Sequence, residues 1–168
     1  MIKISEYDPG LVQDIVRFRS DTYTNSGRDP GIMQEWSADD FDQTATHVVM
    51  YDEQGAIIGV VRIIAGDRWT IEDYYDFEYD KQSGVEFGRL AISRPSYNGK
   101  RVLAELIKAA CHHCAERGRT HFYGFVIARL RRELQRLGVP FEVLSPMLAP
   151  MGEDSYLIRF NVDELIRF

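Results

Sequence analysis

The chain has 168 residues, of which 45% are hydrophobic. That length can bury one core but is too short for two ordinary domains, so we expect a single domain spanning residues 1–168. A net charge of −6 argues against general nucleic-acid binding while allowing a local basic patch. The sequence has no signal-peptide pattern and no apolar run of bilayer length, and it therefore predicts a cytoplasmic protein without membrane insertion.

Alternating periodicities in the first half predict strands and one helix. Residues 2–5 form a short apolar strand, and an Asp8-Pro9 start precedes a helix that continues to residue 24. The polar residues that follow contain a helical turn near Met33. Two β-branched runs over residues 46–66, joined by a short turn, then predict a hairpin.

The second half alternates between strands and helices. An acidic aromatic stretch leads into an apolar strand, a long amphipathic helix that ends at Gly118, a further strand, a short basic helix and two final strands. These elements are predicted at residues 84–93, 98–118, 120–128, 129–138, 140–145 and 154–160. The order implies an α/β (α+β) fold in which helices lie on the faces of a mixed sheet.

Cys111 and Cys114 lie in the long helical pattern beside two histidines. No second cysteine pair is present to complete a zinc site, so the sequence favours reduced helix residues over metal ligands. We predict no metal site.

Glu86 and Arg89 lie three residues apart in the apolar run GVEFGRLAIS. Side chains alternate along a regular strand, so the two charges should face opposite sides of the sheet. A bulge at Phe87–Gly88 would return them to one face, because glycine within a strand often marks a bulge. The two residues are then either a structural ion pair or a carboxylate and a guanidinium at the edge of a cleft. Each needs a partner in both cases, since a buried unpaired charge is costly.

The element order, with the long helix directly after that strand, resembles the GNAT superfamily of acyltransferases over nearly the whole chain. The resemblance implies a mixed, mostly antiparallel sheet flanked by helices, and a loop before the helix that cradles the pyrophosphate of coenzyme A. That loop reads SYNGKRVLAEL, with Ser96 where the family has Gln or Arg, Gly99 retained, and Arg101 where a small residue is usual. A phosphate cradle needs small residues. Either coenzyme A binds loosely, or another carrier brings the acyl group.

Four short motifs occur in a characteristic order along the chain. They are Arg19 with Tyr23, Asp39 with Asp42, Arg62 in GVVRI, and Glu86 with Arg89 and Leu90. In this order they resemble the acyl-homoserine-lactone (autoinducer) synthases and the long-chain N-acyl amino acid synthases, which mostly use acyl carrier protein as donor. Trp36 departs from the pattern, because it lies just before Asp39 instead of close after the first-helix aromatic residue.

The resemblance assigns roles to these residues. Glu86 would be the base, with Arg89 beside it, and backbone N–H groups of Leu90, Ala91 and Ile92 would stabilise the oxyanion. Asp39 and Asp42 would either hold a cationic substrate or order the N-terminal segment by pairing with arginines. The remaining predicted substrate-binding residues are Arg19, Tyr23, Trp36 and Arg62.

A carrier protein that is strongly acidic would need a local basic surface. Gly99, Lys100 and Arg101 are the predicted carrier or coenzyme-A site. Other basic residues are docking candidates or simply solvated helix faces: Arg117, Arg119, Arg129, Arg131, Arg132 and Arg136. The residues that would line an acyl tunnel, or equally pack the core, are Phe122, Phe125, Ile127, Met147 and Leu148. We assign no role to His47 or His121.

The predicted function is therefore N-acyl transfer from an acyl carrier protein or acyl-coenzyme-A thioester to a small-molecule amine. The amine is S-adenosylmethionine, which gives an acyl-homoserine lactone for quorum sensing, or an amino acid. The donor and the amine are co-substrates, and no permanently bound cofactor is expected. Two alternatives remain, an acetyl-coenzyme-A-dependent N-acetyltransferase and a non-catalytic acyl-binding module.

Overall fold

A computed structural model describes residues 1–6, 8–25, 36–93, 99–145 and 154–168. The strands are β1 (Ile2–Ser5), β2 (Thr46–Tyr51), β3 (Ile57–Ile64), β4 (Gly84–Ile92), β5 (His121–Ile127), β6 (Glu142–Val143) and β7 (Ser155–Asn161). The α-helices are α1 (Pro9–Thr24), α2 (Gly99–Ala115), α3 (Ala128–Arg136) and α4 (Val162–Arg167). Two short 3-10 helices cover Asp40–Gln43 and Thr70–Asp73.

The seven strands follow the order β1-β2-β3-β4-β5-β7-β6. β1 with β2, β2 with β3, β5 with β7 and β6 with β7 pair antiparallel, whereas β4 and β5 pair parallel. A parallel pair requires a crossover connection, which the chain supplies with α2. The predicted mixed, mostly antiparallel sheet with helices is confirmed.

The chain divides into two compact units, of which the first contains Met1–Ile64 and Gly88–Ala110. Its helix α1 begins where the Asp8 carboxylate accepts a hydrogen bond from the Leu11 N–H at 3.1 Å. Leu11 and Ile15 are buried against Val49 of β2 and Val60 of β3. The next residue at the same spacing is Arg19, so the buried face of α1 ends in a charged side chain.

Helix α2 packs closely on strand β3 in the first unit. A Cβ at Gly59 would lie 2.7 Å from Cγ1 of Val102 and 2.9 Å from Cδ1 of Leu106. A side chain at this position would require Val102 and Leu106 to shift, so glycine lets the helix approach the strand closely.

The second unit contains Ala65–Phe87 and Cys111–Phe168. The ring of Trp69 is completely buried, with the ring centroids of Tyr79 and Tyr123 at 5.4 Å and 5.6 Å. A Cβ at Gly124 would collide with the Phe87 carbonyl oxygen, so the backbones of β4 and β5 meet there without room for a side chain. This close approach follows directly on the last registered pair, Glu86 with Tyr123.

The structure differs from the sequence prediction mainly in short elements. The C-terminal helix α4 and both 3-10 helices were not predicted, and β6 has only two residues. Asn161 caps α4, because its side-chain oxygen accepts a hydrogen bond from the Glu164 N–H at 3.1 Å. This helix-start signal lies at the end of a strand pattern, so the sequence pattern did not predict the helix. The predicted turn near Met33 lies outside the described residues. Within the described ranges, no helix has the length and apolar character needed to cross a bilayer.

Candidate active site

Asp39 and Asp42 together cap the N-terminus of the first 3-10 helix. The Asp39 carboxylate accepts the Phe41 N–H at 3.0 Å, and the Asp42 carboxylate accepts the Asp39 N–H at 3.1 Å. This reciprocal arrangement is a capping box. It gives a physical reason for the spacing of three residues between the two aspartates.

The same two carboxylates bind three arginines that come from three different elements. Arg19 of α1 reaches Asp42 Oδ1 at 2.8 Å. Arg62 of β3 bridges both aspartates, at 2.5 Å from Asp39 Oδ1 and 3.1 Å from Asp42 Oδ1. Arg89 of β4 binds Asp39 Oδ2 at 2.7 Å. We call these five residues the ion-pair cluster.

Most of the ion-pair cluster is removed from solvent. The side chains of Arg19 and Arg62 are 0% exposed and that of Asp42 is 3% exposed. Burial alone would raise the pKa of Asp42, but the charges of Arg19 and Arg62 outweigh it and hold that pKa below its ordinary value. Burial is likewise outweighed at Asp39, where Arg62 and then Arg89 lower the pKa of the carboxyl. Both aspartates are therefore ionised in the folded protein at neutral pH.

His47 joins the cluster through Arg19 and Asp42. Arg19 Nη2 lies 3.3 Å from His47 Nδ1, and His47 Nε2 lies 3.0 Å from the Asp42 carbonyl oxygen. A guanidinium can only donate and a carbonyl can only accept, so Nδ1 must be the acceptor and Nε2 must carry the hydrogen. His47 is thus neutral, and burial lowers its pKa, with the charge of Arg19 acting in the same direction.

Arg89 departs from regular strand geometry, with a φ of +53° in the left-handed region. Its guanidinium lies over the ring of Trp36, 4.2 Å from the centroid, while it also binds Asp39. A non-glycine residue in this backbone region is strained, and neighbouring contacts must hold it there. The sequence places the irregularity at Phe87–Gly88, and the structure places it at the next residue.

The other predicted substrate-binding residues of the first unit include residues of β4 and α1. The Tyr23 hydroxyl donates to the Leu90 carbonyl oxygen at 3.3 Å. Ala91 is buried in the core beneath α1, and Ile92 ends the strand. The structure therefore places Arg19, Tyr23, Trp36 and Arg62 with the aspartates and the C-terminal half of β4, all within one unit.

Glu86 belongs to the second unit, where its carboxylate is bound by the second 3-10 helix. The Thr70 hydroxyl donates to Oε1, and the Ile71 N–H donates to Oε2 at 3.1 Å. Only 2% of Glu86 is exposed. Arg89 pairs with Asp39 and Glu86 accepts from Thr70 and Ile71, so each of the two charges has partners of its own.

The predicted carrier-binding residues Gly99, Lys100 and Arg101 are exposed in the first turn of α2. Ser96 of the predicted cradle lies outside the described residues. Several of the other basic residues have internal partners that compete with docking, among them Arg117, which donates to the His113 carbonyl oxygen, and Arg136, which pairs with Glu133. Arg119 donates to the carbonyl oxygen of Lys81 at 3.0 Å, and the Arg131 guanidinium stacks over the Tyr156 ring at 4.2 Å.

The predicted tunnel residues are partly core residues. Phe122 is completely buried and stacks on Phe87, with ring centroids 4.8 Å apart. Phe125 packs against Tyr74 and Tyr75, with centroids at 6.2 Å and 6.4 Å. Ile127 is half-buried at the end of β5. Met147 and Leu148 lie outside the described residues.

Cys111 and Cys114 are free buried thiols of α2. Burial raises the pKa of Cys111 to about 12 and that of Cys114 to about 11, so both are protonated and unreactive at neutral pH. Among the described residues, no group of three or more histidine, cysteine, aspartate or glutamate side chains could hold a metal ion.

Sequence reasoning missed several residues that contact the predicted site, including Ile71, whose N–H donates to Glu86. His47 and Ser37 bind Arg19, the latter through its carbonyl oxygen at 3.3 Å, and Thr70 binds Glu86. His47 carried one usable signal, because the hairpin register places it opposite Arg62. Thr70 carried none, since its contact joins segments separated by a loop.

Replacement of Asp42 by asparagine should strongly destabilise the fold. The variant keeps the size of the side chain but leaves Arg19 and Arg62 with one carboxylate fewer in a buried site. Breaking a buried ion pair in this way costs about 3–5 kcal/mol. Urea unfolding of Asp42→Asn against the parent chain measures that loss.

Asp14→Asn is the matched control. It removes the same charge from an ion pair with Arg17 whose side chains are 62% and 76% exposed. Exposed pairs contribute about 0–1 kcal/mol, so this variant should unfold close to the parent. Equal losses for the two variants would contradict a stabilising role for the buried cluster.

The neutral state of His47 predicts a specific loss of stability in acid. Its pKa is lowered in the folded protein and is about 6.5 in the unfolded chain. Below about pH 6.5, His47 therefore binds a proton in the unfolded state but stays neutral in the folded state. The free energy of unfolding falls as a result. Protonation in the fold would place a third positive charge beside Arg19 and Arg62, with Asp42 as the facing carboxylate.

His47→Gln supplies a donor and an acceptor that do not titrate, and it tests this prediction. Unfolding free energies of both proteins should be measured from pH 7.5 to pH 5. The parent should lose stability relative to the variant by up to about 1.4 kcal/mol per pH unit. Parallel pH profiles would show that His47 does not contribute.

Comparisons with known proteins place these features in a family. Residues 18–108, more than half of the chain, match the model of the Acetyltransferase (GNAT) domain. No protein of curated function matches the sequence.

Three solved structures have a similar fold. The acyl-homoserine lactone synthase LasI is 14% identical, with a TM-score of 0.79 over 96% of this chain and 89% of that chain. The CoA-dependent acyl-homoserine lactone synthase BjaI, solved with SAM and isopentyl-CoA, is 13% identical, with a TM-score of 0.75 over 99% and 86%. A putative N-acetyltransferase from Lactobacillus plantarum is 17% identical, with a TM-score of 0.68 over 96% and 97%. At these identities the likeness is one of fold. The domain match shows that the chain belongs to the GNAT family of acyltransferases, and the solved structures show that it resembles the autoinducer synthases in fold.

Proposed function

We propose that this protein is an N-acyltransferase of the autoinducer-synthase type, built as one catalytic domain over residues 1–168. It transfers an acyl group from a carrier-protein or coenzyme-A thioester to the amine of S-adenosylmethionine or an amino acid. One observation carries the proposal: four motifs that are dispersed in the sequence supply the five residues of the ion-pair cluster and Glu86, on a GNAT fold. The first amine would yield an acyl-homoserine lactone, a product suited to quorum sensing.

We infer that Asp39 and Asp42 order the site and do not bind the cationic amine. Asp39 Oδ1 binds Arg62 and Oδ2 binds Arg89, while Asp42 Oδ1 binds both Arg19 and Arg62. A cationic substrate would have to displace an arginine from these oxygens. The three arginines exceed the two carboxylates by one positive charge, so the cluster favours an anionic group such as the carboxylate that both candidate amines carry.

In addition to the thioester, the reaction needs a neutral amine, a site that binds the developing oxyanion, and a proton for the leaving thiolate. The α-amino group has a pKa of about 7.7–8.0, so a modest base such as Glu86 suffices to take its proton, directly or through water. The nitrogen lone pair forms the N–C bond and the carbonyl oxygen becomes an oxyanion. The nitrogen then loses a further proton, the C=O bond re-forms, and the C–S bond breaks with its electrons leaving on sulfur, which takes up that proton to give one amide and one thiol. Backbone N–H groups of Leu90, Ala91 and Ile92, beyond the irregular Arg89, are our candidates for binding the oxyanion.

The donor would meet the protein at the start of α2. Lys100 and Arg101 are exposed there and give this otherwise acidic chain a local positive surface. Such a surface suits an acidic carrier protein. The solved relatives include synthases described as CoA-dependent, so acyl-coenzyme A is the alternative donor.

A second candidate function is acetyl-coenzyme-A-dependent N-acetylation. The matching domain model is described as an acetyltransferase, and the Lactobacillus plantarum structure is described as a putative N-acetyltransferase. Tight binding of acetyl-coenzyme A by the purified protein would favour this candidate.

The leading proposal predicts new acylated products in a bacterial host that overexpresses the protein. Lipid extracts should contain acyl-homoserine lactones or N-acyl amino acids when analysed by mass spectrometry. Cells that express Glu86→Gln should lack them, because the amide cannot accept the amine proton; loss of a general base costs about 10²–10⁴-fold in rate.

The control is Glu164→Gln, which makes the same change at an exposed residue of α4 and should leave the products unchanged. The absence of both products, in a host that makes acyl thioesters and both amines, would contradict the proposal. Acetylation and simple acyl binding would then remain. Equal products from Glu86→Gln and the parent would instead contradict the role of Glu86 alone.

A further inference from the structure

Thr70 is the residue that holds the Glu86 carboxylate in place on one side. Its hydroxyl donates to Oε1, and the N–H of the next residue, Ile71, donates to Oε2 at 3.1 Å. Thr70 is 6% exposed and Glu86 is 2% exposed, so water has little access to compete for these bonds. Two donors from consecutive residues therefore bind the two oxygens of one buried carboxylate.

The segment that carries Thr70 is itself anchored. The Trp69 N–H donates to Glu72 Oε2 at 2.7 Å, and Lys81 Nζ lies 2.5 Å from Glu72 Oε1. The indole ring of Trp69 is completely buried against Tyr79 and Tyr123. The backbone that carries the Thr70 hydroxyl is therefore held in place by contacts that do not involve Glu86.

The backbone of Glu86 is fixed as well. Strand β4 pairs with β5 in parallel register from Gly84 to Glu86, where Glu86 lies opposite Tyr123. With both backbones held, the remaining freedom of Glu86 is rotation of its side chain and of its carboxylate. A terminal carboxylate torsion is broad and costs little to turn, so it needs a hydrogen bond to select one orientation.

We propose that Thr70 is a positioning residue that fixes the orientation of the Glu86 carboxylate for proton transfer. The inference rests on the proposed function, in which Glu86 accepts the proton of the amine. A carboxylate offers about four lone-pair sites, so accepting these two hydrogen bonds is compatible with receiving a proton. The Ile71 N–H binds only Oε2, whereas the Thr70 hydroxyl binds Oε1, so the two donors together define the plane of the group.

Two substitutions separate the hydroxyl from the volume of Thr70. Thr70→Val keeps the branched shape and removes the donor, and Thr70→Ser keeps the donor. We expect Thr70→Val to lower kcat about 10–100-fold with KM unchanged, because misplacement of a catalytic group by about 1 Å has effects of this size. Thr70→Ser should retain kcat to within about threefold. The control for the chemical change is Thr120→Val. Thr120 is exposed, and its hydroxyl lies within hydrogen-bond distance of the adjacent His121.

Steady-state kinetics with the amine and acyl donor identified in the host extracts supply the main readout. Amide hydrogen exchange at Ile71 supplies a second one that does not depend on turnover, and its protection should persist in both Thr70 variants. Protection that is lost in Thr70→Val, together with higher KM, would show a merely structural role and overturn the proposal.

The possible failures are distinguishable. If the parent chain turns over and Thr70→Val has the same kcat, or if Thr70→Ser is as impaired as Thr70→Val, the positioning role is wrong and the proposed function stands. If the parent chain transfers no acyl group at all, the proposed function is wrong and the inference about Thr70 falls with it.

Discussion

Five charged side chains, two aspartates and three arginines, meet in a cluster that is largely closed to water. Burying such charges costs several kcal/mol for each ion, which only close pairing and hydrogen bonds can offset. The cluster meets this cost with a bridging arginine, Arg62, that contacts both carboxylates, and with a neutral histidine that accepts from Arg19. Because its members come from α1, the first 3-10 helix, β3 and β4, the cluster joins four elements of the first unit.

The cluster also explains how an irregular strand can persist. Arg89 has a left-handed backbone that costs about 1–3 kcal/mol, and its guanidinium is held between the carboxylate of Asp39 and the ring of Trp36. Strain of this kind is kept where the surroundings over-determine the conformation. It lies next to Leu90, Ala91 and Ile92, whose backbone groups we propose for the oxyanion, so the ion pairs hold the backbone just before these residues in place.

Patterns of local spacing predicted much of this arrangement. The Asp8-Pro9 start predicted the first helix, but the burial of Arg19 on the same face as Leu11 and Ile15 was not predicted. The hairpin and β4 were recognisable from β-branched runs. Contacts that depend on tertiary structure were not, as with Thr70, which meets Glu86 only because a loop folds back on the strand. The exact site of the irregularity, at Arg89 and not at Gly88, also depends on partners far along the chain.

The most direct test of the claim that the cluster holds the irregular strand in place is a double-mutant cycle between Asp39 and Arg89. Asp39→Asn, Arg89→Gln and the double variant would be compared with the parent by urea unfolding. Residues in one ion-pair network show coupling of about 0.5–3 kcal/mol, and we predict a value in the upper half of that range because Arg89 is 9% exposed and bound at 2.7 Å. Losses that add to within about 0.3 kcal/mol would contradict the account.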